Sequence, residues 1–336
     1  MSMAKLIDEV RLAWESIRTV QGASGWTAVG VLPSKPGRFK AGRNSPEHCE
    51  AILVSFLTSA ITQNEKLPEG LGFRVNRLDS ETGEMTWLAL TRNPNGNLEL
   101  FSAMVSDVLE ALTGAGNRDH VTELRIFLGR IRAWQEFMRR GAIPLSPEQE
   151  VGLVGELILL EMILESGVHP QDAVGAWNGP LSGLRDFVIG FGAIEVKTTI
   201  ASVGLTAKIG SLEQLDDTTC KPIFLCAIKC ALTSSGQTIN EKISSLRSLL
   251  EPDSMALLDF NNRITASGYL QSDVSQYHRR FSFREIFIFE VNDNFPRLTP
   301  SNIMLGVVSV KYEINLEPFR DQAIELTTTL KKLKMI

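Results

Sequence analysis

A mixed α/β (α+β) protein with a β-rich N-terminal domain is the architecture this sequence predicts. Three observations carry it. Strand-like apolar runs separated by Gly, Pro, Asn and Asp fill most of the first ninety residues, a long amphipathic helix closes that region, and helices then alternate with strands to residue 336. Hydrophobic residues make up 43% of the chain, enough for two cores at this length.

Residues 5–20 carry apolar side chains at helical spacing, and 26–31, 51–57, 71–78 and 85–91 are strand-like. From 117 to 140 the residues Val121, Leu124, Phe127, Leu128, Ile131, Trp134 and Met138 recur at helical spacing before Gly141, a helix stop. A boundary near 141–145 gives an N-terminal domain of residues 1–143 and a second domain of 144–336. The second opens with a helix that marks its own start. Ser146 is a candidate N-cap, Pro147 sits at the first helical position and Gln149 completes a capping box. Strands are predicted at 184–189, 193–199, 204–209 and 223–231, helices at 239–250 and 255–264, strands at 285–291 and 305–314, and a closing helix at 320–333.

Net charge is −5, so a nucleic-acid partner must meet a local basic patch rather than a basic protein. Arg139-Arg140, His278-Arg279-Arg280 with Arg284, and Lys331-Lys332 with Lys334 are the candidates, though such runs are more often solvated faces. Four cysteines without a secretory leader point to a reducing cytoplasm, and Cys220, Cys226 and Cys230 lack zinc spacing, so buried thiols are expected. The apolar stretches at 51–57 and 223–232 are too short to span a bilayer, so no membrane partner is expected. The four histidines are scattered and no phosphate-cradling Gly-x-x-x-x-Gly-Lys-Ser/Thr is present.

Helix phase singles out one acid. With about 100° per residue, Leu153, Leu157, Leu160 and Leu164 form a stripe widened by Leu159 and Ile163, and Glu156 falls between Leu160 and Ile163. Glu161 and Glu165 project to the other side, toward water. A carboxylate caught in an apolar face needs a cation, a metal or donors, and a rim ion pair with an arginine such as Arg185 is the plainer reading of the helix alone.

Downstream, Asp186 opens a strand-like run and Glu195-Val196-Lys197 lies inside the next. Side chains alternate along a strand, so Glu195 and Lys197 share a face. A turn of residues 190–193 places Asp186 opposite Lys197 and beside Glu195, whereas a three-residue loop turns it away. Mg²⁺ prefers oxygen ligands and needs only one or two carboxylates plus substrate phosphate oxygens, so Asp186 and Glu195 suit it and Glu156 could hold a second ion. Lys197 could orient the attacking water or offset developing charge, which makes the set suited to metal-assisted phosphodiester hydrolysis. Thr198 and Thr199 extend this strand as secondary contacts, and Gln214 is more simply read as a surface glutamine.

The order of helix acid, strand-opening aspartate, hairpin and Glu-x-Lys resembles the PD-(D/E)XK nuclease superfamily over about residues 146–235. Gly155-Glu156-Leu157, Arg185-Asp186-Phe187 and Glu195-Val196-Lys197-Thr198-Thr199 carry the resemblance, with Arg185 in place of the proline. It is most similar to bacterial uncharacterised PD-(D/E)XK motif proteins found beside restriction and phage-defence genes. The resemblance implies a restriction-endonuclease-like core and a Mg²⁺-dependent DNA endonuclease in which Mn²⁺ can substitute. Asp186 and Glu195 would be its ligands, Lys197 its catalytic cation and Glu156 its auxiliary acid. DNA is the implied partner, with other defence-system subunits or a second copy of the chain as further candidates. A catalytically inactive subunit that keeps the fold for nucleic-acid binding or scaffolding is the alternative.

Overall fold

The computed structural model describes residues 3–17, 25–32, 37–62, 64–79, 83–113, 119–139, 141, 145–181, 183–269 and 276–336. The expected positions Val20, Asn117 and Arg140 lie outside them. Two compact units divide the chain, Met1–Ala142 and Ile143–Ile336. Among the described residues no helix is long and apolar enough to cross a membrane.

The first unit holds α1 (Met3–Ser16), β1 (Gly25–Val31), β2 (Phe39–Ser45), β3 (Glu50–Leu57), β4 (Phe73–Asp79), β5 (Met85–Arg92), α2 (Leu98–Thr113) and α3 (His120–Arg139). Its strands form an antiparallel sheet in the order β1-β2-β3-β5-β4. Phe56 of β3 packs on Phe127 of α3 and Trp14 of α1 on Phe101 of α2, tying helices to the sheet and to one another. Two elements have no counterpart among the sequence expectations. β2 reads Phe-Lys-Ala-Gly-Arg-Asn-Ser, of low strand propensity, and exists because strands pair with it on both sides. α2 is capped by Asn97, whose Oδ1 accepts from Leu100 N, and buries Phe101, Met104, Val105, Val108 and Leu112 at helical spacing.

The second unit contains α4 (Pro147–Glu165), α5 (Pro170–Ala176), β6 (Phe187–Ile189), β7 (Gly192–Thr199), β8 (Thr206–Ile209), β9 (Ile223–Gln237), α6 (Ile239–Leu250), α7 (Ser254–Ala266), β10 (Phe281–Val291), β11 (Tyr312–Asn315) and α8 (Leu326–Lys332). A mixed sheet runs β10-β9-β7-β6, with β7 and β9 parallel and the outer pairs antiparallel. One face, carrying Phe187, Ile194, Val196, Phe224, Cys226 and Ile228, packs under the helices. The other, with Leu225, Ala227 and Phe289, packs against the small β8-β11 sheet. An α/β fold with a restriction-endonuclease-like core is therefore present.

Three expectations for this unit change. The strand expected at 305–314 is confined to β11, because only Tyr312–Asn315 finds a partner in β8. The closing helix expected at 320–333 becomes a 3₁₀ segment, Glu317–Gln322, and the short α8. Ala323 turns extended between them, and Ile324 N donates to Ile288 O at 2.8 Å, which breaks the helical run. β6 begins at Phe187 rather than at residue 184, since residues 184–186 bend away from the ladder.

Candidate active site

α4 positions the first acid. Its capping box is complete: Ser146 Oγ accepts from Gln149 N at 3.3 Å, and Gln149 Oε1 accepts from Ser146 N at 2.9 Å. The helix is buried on nearly every side, including Leu153, Val154, Leu157, Ile158, Leu160 and Ile163. Glu161 does not face open water as expected. It pairs with Lys242, because α6 occupies that side.

Gly155 decides how close α4 comes to β7. A Cβ built on it would lie 1.8 Å from Thr198 Oγ1, so only glycine allows this approach. Glu156, half-buried, is thereby carried beside the hairpin. Trp177 Nε1 donates to its Oε2 at 2.7 Å, and Trp177, fully buried, is held by Phe260 and by Arg263 on its carbonyl.

The hairpin supplies the other groups. Phe187 pairs with Ile194, Val188 with Ala193 and Ile189 with Gly192, so the turn is Gly190-Phe191 and not the four residues expected. Gly190, with φ 58°, takes the left-handed conformation such a tight turn requires. Shortening by two residues preserves side-chain parity: the register now runs toward Glu195 instead of Lys197 at Asp186, which itself lies in the bend just before the ladder. Asp186 Oδ2 accepts from Val196 N at 2.7 Å, and its carbonyl accepts from Asn178 N and Gly179 N.

These placements bring all four expected residues into one region. A Cβ on Gly179 would lie 2.5 Å from Glu156 Oε2 and 3.1 Å from Asp186 Oδ1, so both carboxylates line the space that glycine leaves open. Glu195 is only 1% exposed; its Oε1 receives Lys197 Nζ at 2.7 Å, while Oε2 is buried without a donor. Burial, then the neighbouring Asp186 charge, pushes the Glu195 carboxyl up to about 8, against the opposing pull of Lys197. Burial also raises the Asp186 carboxyl, countered by the Val196 amide and Lys197.

An orphaned, buried carboxylate oxygen and an open cradle between two further carboxylates fit a cation with oxygen preference. The acids do not form a ready cage. Among the described residues no group of three or more His, Cys, Asp or Glu is arranged to hold one ion, because Glu195 is turned to Lys197 and Glu156 to Trp177. Asp186 lies beside Glu195, and Glu156 next to Asp186.

Lys197 stands where two hollows meet. One, of 630 Å³, includes Thr198, Thr199, Lys208 and Arg279; the other, of 330 Å³, includes Lys208, Gln214, Lys311 and Tyr312. Gln214, expected at the surface, accepts from Gly210 N at 2.7 Å and from Lys197 Nζ at 3.4 Å, and so braces the lysine. The expected basic clusters are largely neutralised: Arg139 pairs with Glu136, Arg279 with Glu150, Arg280 with Glu241 and Lys332 with Glu290. Cys226 and Cys230 are buried thiols whose pKa values burial raises, Cys230 to about 11.

Gly155, Trp177, Gly179 and Gln214 are the contributors that motif reasoning did not assign to the site. Gly155 stood beside Glu156 in the motif, and Gln214 follows the third strand of this unit, but Trp177 and Gly179 left no spacing signal.

No curated protein and no solved structure matches the chain. A family profile does: DUF4420, described as "Putative PD-(D/E)XK family member", matches residues 10–317, nearly the whole chain and both units. The chain belongs to the DUF4420 family of PD-(D/E)XK-like proteins.

Proposed function

We propose that the protein is a Mg²⁺-dependent endonuclease that hydrolyses DNA phosphodiester bonds, acting in the cytoplasm in restriction or phage defence. The observation that carries this reading is Glu195 Oε2, a buried carboxylate oxygen without a donor, beside Asp186 and on the face that bears Lys197. Burying such an oxygen costs stability unless a cation meets it in the working state.

Asp186 and Glu195 would hold the Mg²⁺ or Mn²⁺, with Glu156 as auxiliary acid. When bound, the ion supplies Lewis acidity toward the phosphodiester and makes an attacking water more acidic. Lys197, held by Glu195 and Gln214, presents its ammonium at the junction of the two hollows, where it offsets charge that builds on phosphate oxygens. Val196 N holds the Asp186 carboxylate, and Trp177 holds one oxygen of Glu156. Lys208 and Lys311 line the hollows beside Glu148 and Glu313, and Lys311 offers a cation to a phosphate backbone. The N-terminal domain would contribute recognition of DNA or of a partner subunit.

The test is plasmid cleavage by the purified chain with Mg²⁺ or Mn²⁺, beside Asp186→Ala and Lys197→Ala. Activity lost in both variants is expected; cleavage that survives both sinks the proposal. Absence of Mn²⁺ binding by calorimetry, with DNA present, would favour the non-catalytic scaffold.

A further inference from the structure

One buried cation of the second unit lacks a counter-charge. Arg185 is 4% exposed; its Nη2 donates to Asp216 O at 2.7 Å, while Nη1 reaches only Leu184 O at 3.5 Å. Its Nε is buried with no acceptor. Arg38, Arg43, Arg130 and Arg320 share that last feature, but each of them pairs with a carboxylate. Among the described residues no carboxylate pairs with Arg185.

The acids around it are committed elsewhere. Glu195 holds Lys197, and the Asp216 carboxylate accepts from Thr218 N at 3.2 Å and from Thr218 Oγ1 at 2.9 Å. Asp217 pairs with Lys221 at 3.1 Å and with Arg297 at 2.9 Å, and Glu213 is exposed to water. A guanidinium keeps its charge and carries five N–H groups, of which the two carbonyls leave most unanswered. Burying such a charge costs stability unless an anion meets it.

Arg185 also walls a hollow of 510 Å³. Thr218, Thr219 and Lys221 bring hydroxyl and ammonium donors to that wall, and the exposed Val188 and Phe191 bring apolar surface. Lys221 and Asp217, the other charged residues of the lining, offset each other, so the excess charge of the wall is that of Arg185. The walls are tied together: Lys221 N donates to Phe191 O at 2.8 Å, and Cys220 Sγ to the same carbonyl at 3.2 Å. A guanidinium fork matches two oxygens of one anion. A carboxylate then has no oxygen left for the threonine hydroxyls or for Lys221, whereas a phosphate has. The volume is many times the ~30 Å³ share of one water, which leaves room beside Phe191 for whatever the phosphate is attached to.

We propose that Arg185, with Lys221 and the hydroxyls of Thr218 and Thr219, forms a binding site for a phosphate group, free or esterified. Asp186, the next residue, is bonded to Val196 N, so this site and the acid site share backbone but no side chain. Arg185 stands where the PD-(D/E)XK pattern has proline, which offers no such contact. The site does not depend on the nuclease reading, because phosphate can bind here whether or not the acids cut.

The test uses the full chain in EDTA, inorganic phosphate as the probe, and alkylation of Cys220, a residue of the same wall, as the local readout. Phosphate at ~10 mM should slow that alkylation several-fold in the parent, relative to chloride at equal ionic strength. Arg185→Met removes the charge at similar length and should abolish the protection. If that variant melts below the parent, the deciding variant is Lys221→Ala, at an exposed position, which should weaken protection about three-fold. No protection in the parent, or full protection in the deciding variant, overturns the site. Anisotropy of oligonucleotides with and without a terminal phosphate then separates the sources, each result supporting the site. Displacement of both strands by phosphate identifies a backbone phosphate, displacement of the phosphorylated strand alone a terminal one, and of neither a free phosphate ligand. Protection in a chain that cuts no DNA keeps the site and removes the nuclease reading, and Asp186-dependent cleavage without protection does the reverse.

Discussion

Lys197 Nζ lies 2.7 Å from Glu195 Oε1, and the opposite oxygen of the same carboxylate is buried with no donor. The carboxylate is thus half satisfied, which ties the role of the lysine to that of the acid. Replacing Lys197 with Ala leaves both oxygens dependent on a cation from solution and removes the ammonium from the groove. Single-turnover cleavage should fall about 10²- to 10³-fold, the usual cost of deleting one preorganised charge stabiliser. A loss below ten-fold would remove Lys197 from the chemistry.

The pH dependence of the metal-free protein has a defined sign. Glu195 titrates near 8 in the folded chain against an ordinary value of 4.5. Between those values the folded state holds a proton that the unfolded state has released, so stability falls as pH rises through that window. The loss is on the order of a few kcal/mol. Melting temperature in EDTA should therefore drop between pH 5 and 8, and Glu195→Gln should flatten the curve, with the raised Asp186 adding a slope of the same sign. A melting temperature that climbs across this range would contradict the assignment.

Trp177→Phe keeps an aromatic ring at this buried position but removes the five-membered ring of the indole and with it the donor on Glu156. Stability should fall by about 1–3 kcal/mol, from the lost hydrogen bond and the small cavity left behind. Mn²⁺ affinity, followed by calorimetry, should weaken by about 10- to 100-fold, as outer-shell substitutions do. Unchanged affinity would show that Glu156 works independently of the indole.

Gly155→Ala sets two effects against each other. Alanine gains about 1 kcal/mol of helix propensity, but its Cβ would stand 1.8 Å from Thr198 Oγ1 and 2.9 Å from Thr198 Cβ. The contact is too short for relief by a flexible tip, so overpacking should dominate, with a net loss of roughly 1–3 kcal/mol in urea unfolding. Adding Thr198→Ala, which removes the nearest atom, should restore part of it. A stabilised Gly155→Ala chain would mean that α4 and β7 do not approach this closely.

What the sequence disclosed about the site was mostly local. The phase of α4 followed from Ser146, Pro147 and Gln149, and period-two alternation put Glu195 and Lys197 together, because both are properties of short windows. The Gly190-Phe191 turn is two residues shorter than the sequence predicts, and parity survives because the difference is even. The contributions of Trp177, Gly179 and Gln214 depend on segments meeting in three dimensions, and no window contains that. Glu161 was read as solvated because α6, which carries Lys242, could not be placed beside it. Residues 305–311 were read as strand from their β-branched composition, whereas a strand forms only where β8 supplies a partner.

The pairing of β8 with β11 joins residues 206–209 to 312–315. The acids and the lysine, by contrast, all fall between positions 156 and 197. The residues proposed for the chemistry are therefore encoded as one compact cassette, while one wall of the smaller hollow is borrowed from a stretch more than a hundred residues later in the chain. Under that division, descendants of this protein can rewrite the late stretch and change what they engage, without disturbing the residues proposed to perform the cut.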